Sequence, residues 1–265
     1  MVVPLDTLPH MEAGRDNAIA KAVHVLTALR TLADGGSARE LTATTGLPRS
    51  TLQRILTTLE ATGMVIQDLQ TQRYRVGPQA MVIGLGYNGA TTLLNEARPH
   101  MVSLRDETGE TVGISIAAGT ARVFIDEVQS THGLRFASEL GRMYPLWSGA
   151  NGRVLLSGMS EVEVERVLSS RDYDDAVQHP LTVDETRARL AQIRQDGYAE
   201  AADEAIGGIS SLAVPISDGS GRVVAALSVS GPSDRLTGVR IDATLPQLRA
   251  AGEAISARLG GHRPS

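Results

Sequence analysis

The chain has 265 residues, of which 42% are hydrophobic and 21% charged, a length sufficient for one large domain or two modest domains. It contains no cysteine, which excludes disulfides, thiolate metal sites and cysteine nucleophiles and permits a reducing cytoplasm. The net charge of −5 is uneven, because residues 15–80 hold eight Lys or Arg against five Asp or Glu, and such a basic module favours binding to nucleic acid.

The first part of the chain predicts a helix-turn-helix. Asn17 can cap a first helix, whose buried face we assign to Ile19, Ala22, Val23, Leu26 and Leu29. Ser37 and Glu40 have the spacing of a capping box, which predicts the start of a second helix. Gly46 is expected to end that helix in left-handed backbone, and Pro48 suits the first turn of a third helix.

The third helix carries an apolar stripe and, about opposite it, a polar face without acidic residues. Leu52, Ile55, Leu56 and Leu59 recur at helical spacing and form the stripe. Arg, Gln, Ser and Thr side chains can reach phosphates and base edges in a DNA major groove. We therefore assign DNA contacts to the start of the second helix and to the third helix, at Ser37, Arg49, Ser50, Thr51, Gln53, Arg54 and Thr57.

A β-hairpin is predicted after the third helix. Gly63 ends the helix, and the segments Met64–Ile66 and Tyr74–Val76 flank a polar turn. If Tyr74 and Val76 face inward, the alternation of a strand sends Arg73 and Arg75 outward. A hairpin with arginines beside a helix-turn-helix is a wing that touches the sugar-phosphate backbone.

The segment after the wing is predicted to be a linker helix. Residues 84–89 have the spacing G-x-G-x-x-G, but only a short apolar pair precedes them, so a dinucleotide-binding strand is missing. The longest uncharged run, residues 76–95, is too polar and too rich in glycine to span a membrane. We therefore expect no membrane partner and a cytoplasmic protein.

The rest of the chain predicts an α+β domain around an antiparallel sheet. Val112, Ile114 and Ile116 alternate with smaller residues, as in a half-buried strand that pairs with Arg122–Val128. A second hairpin is predicted from Leu212–Ser217 and Arg222–Ser230. Helices are expected at residues 97–107, 149–157, 160–168, 184–195 and 241–259.

Convergent serines on the second hairpin suggest a ligand pocket. Ser228 and Ser230 lie two apart and share one face of their strand, together with Val224 and Ala226, while Ser211 lies on the partner strand. Hydroxyl groups among small residues provide donors and acceptors for a ligand. The alternative is that each hydroxyl bonds to nearby backbone.

Six segments of the chain resemble the IclR family of bacterial transcriptional regulators, over about residues 17–259. They are A-I-A-K-A-V-H-V-L-T-A-L, E-L-T-A-T-T-G-L-P-R-S-T-L-Q-R-I-L-T-T-L-E-A-T-G, Y-R-V-G-P, R-D-E-T-G-E-T-V, Y-P-L-W-S-G-A-N-G-R-V-L-L and V-A-A-L-S-V-S-G-P-S-D-R-L-T. The resemblance implies dimers or tetramers that regulate transcription. It also implies an order of regions: a disordered tail at 1–14, a winged helix-turn-helix at 15–77, a linker helix at 78–95 and a GAF/PAS-like effector-binding domain at 96–262.

The resemblance also implies where the effector binds. It places the pocket at six positions, which are Trp147, Ala150, Asn151, Ser211, Ser228 and Ser230. Family members that bind small oxo-acids often have cysteine at the position of Ser211 and an acid at the position of Ala201. Their replacement here favours a larger or aromatic effector, an organic acid by preference. Trp147, the only tryptophan, can stack on such a ring or be a core aromatic.

Motifs for catalysis or for a cofactor are missing from the sequence. The six histidines have no metal-ligand spacing, and neither a G-x-S-x-G elbow nor a P-loop occurs. The favoured interpretation is a repressor that binds a pseudo-palindromic operator in double-stranded DNA as a homodimer or homotetramer and responds to a small organic effector. The alternatives are a small-molecule-binding enzyme with an accessory helical module and an architectural DNA-binding protein whose second module only oligomerises.

Overall fold

A computed structural model describes five stretches of the chain, and the predicted tail at 1–14 lies outside them. The chain divides into two compact units after Thr91. The described residues are 17–32, 34–85, 90–170, 177 and 179–260.

The first unit is a small helical domain with a hairpin. The strands of the hairpin pair antiparallel, and Gly36 forms an additional bridge to Tyr74, as expected for a winged helix-turn-helix. Its elements are α1 (Ala18–Arg30), α2 (Ala38–Thr45), α3 (Arg49–Ala61), β1 (Val65–Gln67), β2 (Tyr74–Val76) and α4 (Pro78–Leu85).

The predicted helix caps of this unit are confirmed with one shift. The side chain of Asn17 accepts a hydrogen bond from the backbone of Ile19, and Ser37 and Glu40 form a complete capping box at the start of α2. Gly46 ends α2 with φ 65°, a left-handed conformation that favours glycine. Pro48 lies at the N-cap of α3 rather than in its first turn.

The buried face of α1 differs from the prediction. Ile19 and Val23 are 74% and 57% exposed, whereas Val25, Ala28 and Leu29 are buried against α2 and α3. Because α1 is apolar on more than one side, helical spacing alone does not determine which side packs inward. Packing in this unit leaves the stripe of Ile19 and Val23 on the surface.

The second unit contains a six-stranded sheet in which all neighbouring strands are antiparallel, in the order β5-β4-β3-β8-β7-β6. This confirms the predicted α+β class. The elements are α5 (Ala90–Thr108), β3 (Thr111–Ala118), β4 (Ala121–Val128), β5 (Met143–Pro145), α6 (Gly149–Ser157), α7 (Glu161–Ser169), α8 (Val183–Asp196), β6 (Ala199–Ala202), β7 (Ile209–Ser217), β8 (Val223–Pro232) and α9 (Gly238–Arg258).

Helices cover both faces of this sheet. On one face α5 and α9 contribute Met101 and Leu248 to a core with Ile114 of β3. On the other face α6 packs against the sheet and against α8, with Leu156 fully buried. The central strand β3 is therefore buried on both sides and not half-buried as predicted.

Three further points concern the elements predicted from the sequence. The linker helix predicted at 78–95 is described in part, since α4 ends at Leu85, α5 begins at Ala90, and residues 86–89 lie outside the described residues. The short strands β5 and β6 were not predicted. Val224 does not share a face with Ala226, because Ile216 pairs with Ala225 while Ser217 pairs with Val223. This bulge leaves Val224 unpaired and turns it toward the α5–α9 core.

Candidate nucleic-acid interface and ligand cleft

The outward face of α3 is polar and carries positive charge. The apolar stripe is buried as predicted, at Leu52, Ile55, Leu56 and Leu59. Most of the predicted contact residues are exposed, namely Arg49, Ser50, Gln53, Arg54 and Thr57, and Thr51 is half-buried. Over the stretches that the structure describes, Arg49 and Arg54 form no ion pair. Their guanidinium groups are therefore available to phosphates and base edges.

Three of the predicted contact residues have partners within the first unit. The Nε2 atom of Gln53 lies 3.5 Å from the hydroxyl of Tyr74, which links α3 to the hairpin. The hydroxyl of Thr57 donates to the carbonyl of Gln53 at 3.0 Å. Ser37 uses its hydroxyl and its backbone N–H to bind Glu40. These contacts position α2, α3 and the hairpin.

Arg73 is turned toward its own unit, which differs from the predicted outward orientation. Its Nε and Nη2 atoms donate to the carbonyls of Asp34 and Gly35 at 3.1 and 2.8 Å. The same guanidinium forms an ion pair with Glu40 at 3.0 Å. Arg73 thus ties the hairpin to the turn before α2, whereas Arg75 is exposed.

In the second unit, a small cleft with a cavity volume of about 40 Å³, open to solvent on one side, lies where the first turn of α6 meets the sheet. Aromatic and small residues form most of its wall. The lining residues are Arg122, Phe124, Phe136, Tyr144, Gly149, Ala150, Asn151, Ala201, Glu204, Ala205, Ile206, Ile209, Ser211 and Ser230.

The pairing of neighbouring strands brings the residues on the sheet side of the cleft together. Ala201, Ser211 and Ser230 are successive partners across β6, β7 and β8. Asn151 of α6 accepts a hydrogen bond from Ser115 of β3 at 3.2 Å, which joins the helix to the sheet. Four of the six predicted effector contacts therefore line one cleft, namely Ala150, Asn151, Ser211 and Ser230.

The other two predicted effector contacts lie elsewhere. Trp147 is 5% exposed and packs in the core between α6, α7 and α8, so it has the place of a core aromatic. Ser228 is fully buried, and its hydroxyl donates to the carbonyl of Gly113 at 3.3 Å. This bond to the backbone of the neighbouring strand is the kind of contact that the sequence left open as the alternative to a ligand contact.

Arg122 on β4 is the charged group on the cleft wall that faces two aromatic rings. Its Cζ atom lies 4.9 Å from the ring centroid of Tyr144 and 5.2 Å from that of Phe124. Burial lowers the pKa of the Arg122 guanidinium to about 10, the Tyr144 phenol acts against this, and the positive charge of Arg153 adds a smaller lowering of the pKa. The group is therefore still a cation at neutral pH.

Comparison with known proteins agrees with this architecture in both units. The family model for the bacterial transcriptional regulator IclR C-terminal matches residues 86–257, and that for the IclR helix-turn-helix domain matches residues 18–69. The chain belongs to the IclR family.

Two curated relatives are similar over most of the IclR-family chain. The HTH-type transcriptional regulator KdgR of Escherichia coli (strain K12) is 31% identical over 84% of this chain and 85% of its own length. The transcriptional repressor IclR of the same strain is 30% identical over 84% of this chain and 83% of its own length. These relatives are DNA-binding regulators and not enzymes, which decides against the enzyme alternative.

A solved structure supports the fold. An IclR homolog from Microbacterium hydrocarbonoxydans, crystallised with 4-hydroxybenzoate, has a TM-score of 0.74 and 23% identity, and the match covers 91% of this chain and 98% of that one. At this identity the likeness concerns the fold alone.

Some features of the IclR-family chain were missed from the sequence. Arg122, Phe124 and Tyr144 were not predicted as cleft residues, although an arginine two residues before a phenylalanine in a strand shares its face.

In the described stretches, no helix has the length and apolar character to cross a bilayer. Those stretches also hold no cluster of three or more His, Asp or Glu side chains suited to a metal.

Proposed function

We propose that this protein is a ligand-responsive repressor of a catabolic operon. It binds a pseudo-palindromic operator as a homodimer or homotetramer, and a small organic effector changes its affinity for DNA. The observation that carries this proposal is one chain with both an exposed basic recognition helix and a cleft for a small molecule. Since the chromosome is its target, we expect the protein in the cytoplasm.

The proposed DNA contacts follow from the exposed face of α3. This helix enters the major groove, where Arg54 reads a base edge and Arg49 and Ser50 hold the nearby backbone. Arg75 contacts the sugar-phosphate backbone from the hairpin, since Arg73 is bound to its own unit. The DNA-contact surface also includes four polar residues next to these arginines, namely Ser37, Thr51, Gln53 and Thr57.

Two exposed apolar segments support self-association. Ile19 and Val23 on α1 are exposed, and α4 exposes Met81, Val82 and Ile83 by 57% or more. Large apolar side chains next to each other on a surface are typical of an interface. A second copy of the chain covers them in this proposal, and two-fold symmetry then explains a pseudo-palindromic operator.

The effector is proposed to be an organic acid or an aromatic compound. The cleft replaces the acid and the cysteine of oxo-acid binders by Ala201 and Ser211, and three aromatic side chains line it. The 4-hydroxybenzoate of the fold neighbour is a first probe. An effector regulates only if it binds one arrangement of the dimer more tightly than the other.

The test is a binding titration of the chain's own promoter DNA against random DNA at several salt concentrations. Arg54→Ala is expected to weaken specific binding by about 1–3 kcal/mol while it affects random DNA less, because it removes a base contact. Arg75→Ala is the matched control: it should weaken both DNAs alike and reduce the salt slope by about one unit.

Three results would contradict the proposal. Wild-type protein that ignores its own promoter region at low ionic strength ends the claim of operator binding. Equal losses on both DNAs for Arg54→Ala turn this residue into a phosphate contact. An effector that binds tightly and leaves operator affinity unchanged removes the proposed coupling.

A further inference from the structure

The cleft contains a buried positive charge without a counter-ion. Arg122 is 5% exposed, and its Nε and Nη1 atoms are buried and have no hydrogen-bond partner. Over the residues that the structure describes, Arg122 is in no ion pair. Burial of a guanidinium is unfavourable unless it is paired and hydrogen-bonded, so an anion in the cleft would stabilise this group.

A second buried arginine of the same unit has an ion-pair partner, although its Nε atom, like that of Arg122, has no hydrogen-bond partner. Arg153 on α6 is 1% exposed, yet its guanidinium pairs with Glu204 and donates to the carbonyl of Glu200 at 2.8 Å. Glu204 also lines the cleft, but its carboxylate is bound to Arg153. The charge of Arg153 is thus compensated within the protein, and that of Arg122 is not.

The surroundings of Arg122 keep its guanidinium in place. The rings of Phe124 and Tyr144 lie edge-to-face with centroids 5.9 Å apart, and the guanidinium is near both. Two glycines of α6 leave room beside it, since a Cβ atom would lie 3.5 Å from Nη2 at Gly149 and 3.3 Å from Nε at Gly152. A cation held beside aromatic rings is pre-organised for a ligand.

We propose that Arg122 binds the carboxylate of the effector, and that this effector is an organic acid with a planar apolar body. The fork of the guanidinium matches a carboxylate, and charge-assisted hydrogen bonds of this kind are strong. The body lies beside the rings of Phe124, Phe136 and Tyr144, which favour a flat group. This inference rests on the proposed function, because it names the class of molecule that the cleft accepts.

The experiment measures ligand binding by the full chain with matched probes. Benzoate, phenylacetate and cyclohexanecarboxylate are each compared with their neutral amide, by calorimetry and by the shift in melting temperature. The variants are Arg122→Gln, Arg122→Met and, as control, Arg142→Gln. Arg142 also lies near the Tyr144 ring, at 5.2 Å, but it does not line the cleft.

We expect the aromatic carboxylates to bind wild type more tightly than their amides. Arg122→Gln should weaken carboxylate binding by about tenfold to a hundredfold and leave amide binding nearly unchanged, while Arg142→Gln binds as wild type does. Without ligand, Arg122→Met should melt at or above the temperature of wild type, because it removes an uncompensated buried charge.

Several results would overturn the inference. Equal carboxylate binding by wild type and Arg122→Gln removes the role of Arg122, and so does a panel in which no carboxylate binds. Cyclohexanecarboxylate binding more tightly than benzoate contradicts a planar body. Inorganic phosphate or sulfate that binds as well as the carboxylates assigns the site to an inorganic anion. A clearly lower melting temperature of unliganded Arg122→Met makes Arg122 a structural support.

A parallel titration of promoter DNA separates this inference from the proposed function. This titration uses wild-type protein, so that its result does not depend on the substitutions at Arg122. If wild type fails to bind DNA, the proposed function fails, while the carboxylate measurements still decide the role of Arg122.

Discussion

Individual arginines of this chain have different tasks because their partners differ. Arg73 is bound to two backbone carbonyls and to Glu40, and Arg153 is paired with Glu204. Arg54 is exposed, and Arg122 is buried without a partner for two of its nitrogens. The residue type alone therefore does not identify a DNA contact or a ligand contact.

The capping box of α2 makes the first unit sensitive to acid. The backbone N–H and the hydroxyl of Ser37 bind the Glu40 carboxylate and hold its pKa at about 2, below the ordinary value of 4.5, and Arg73 adds to this. A depressed pKa contributes stability above the unfolded value, and that contribution is lost as pH falls from about 4.5 toward about 2. We expect Glu40→Gln to flatten the stability–pH curve in this window.

The measurement is chemical denaturation of wild type and Glu40→Gln at a series of pH values from about 2 to about 7. Gln keeps an acceptor for the cap, so the variant isolates the titration from the loss of the cap. Glu163 and Glu185 also have lowered pKa values in capping boxes of the second unit, and their effect cancels in the comparison. Parallel curves for the two proteins would contradict the assignment.

At the residue scale, the exposed face of α3 was predictable because its helical period is clear. The buried stripe from Leu52 to Leu59 fixes which side faces outward, so the position of Arg54 follows. Trp147 and Ser228 do not line the cleft, and the sequence does not show this because it does not reveal which strand or helix covers a side chain. The absence of an ion-pair partner for Arg122 among the described residues depends on three-dimensional packing, so it could not be predicted from the sequence.

The helix α6 lies very close to the chain that precedes it, and this close approach occurs at one glycine. A Cβ atom at Gly152 would lie 2.3 Å from the carbonyl oxygen of Leu146, which is backbone and cannot rotate away. We therefore expect Gly152→Ala to destabilise the second unit by about 1–3 kcal/mol through overpacking. Denaturant unfolding measures the change, with effector binding as a second readout because α6 lines the cleft.

The matched control for this prediction is Gly238→Ala. Gly238 begins α9 and is not in left-handed backbone, and a Cβ atom added there would have nothing within 4 Å. Alanine there should be neutral or stabilise the helix by up to about 1 kcal/mol. A loss for Gly238→Ala as large as that for Gly152→Ala would mean that a general effect of adding a methyl group, and not the close approach to Leu146, explains the first result.

At the element scale, apolar spacing, the Ser37 cap and tight turns made most helices and hairpins predictable, and two further caps could have been used. Capping boxes at Ser37, Ser160 and Thr182 mark the starts of α2, α7 and α8. The edge strands β5 and β6 were missed because three or four residues are too few for an alternation pattern. The bulge at Val224 was missed because it depends on the pairing between β7 and β8.

The whole molecule is expected to self-associate through its exposed apolar residues. The substitution Ile19→Glu introduces a charge on α1. The sequence predicted that Ile19 is buried, but its side chain is 74% exposed. We expect this change to weaken the dimer by about tenfold or more, since a buried unpaired charge is unfavourable at an interface. Sedimentation over a range of concentrations measures the dissociation constant.

Val162→Glu is the control for self-association. Val162 lies on α7 and is 81% exposed, so the substitution adds the same charge at an equally exposed apolar position. Val162→Glu should leave the dimer intact, because the proposed interface contains α1 and not α7. Equal weakening by both substitutions would point to general charge repulsion, and an unchanged dimer in Ile19→Glu would exclude α1.

The anchoring of the hairpin by Arg73 has a practical consequence for spectroscopy. Leu69 lies at the tip of the hairpin and is 84% exposed, and the chain has no native cysteine. A cysteine introduced at this position carries a single spin label at a unique site. Because Arg73 ties the hairpin to the turn before α2, distances between labels in a dimer report how the two DNA-binding units move when effector or operator is added.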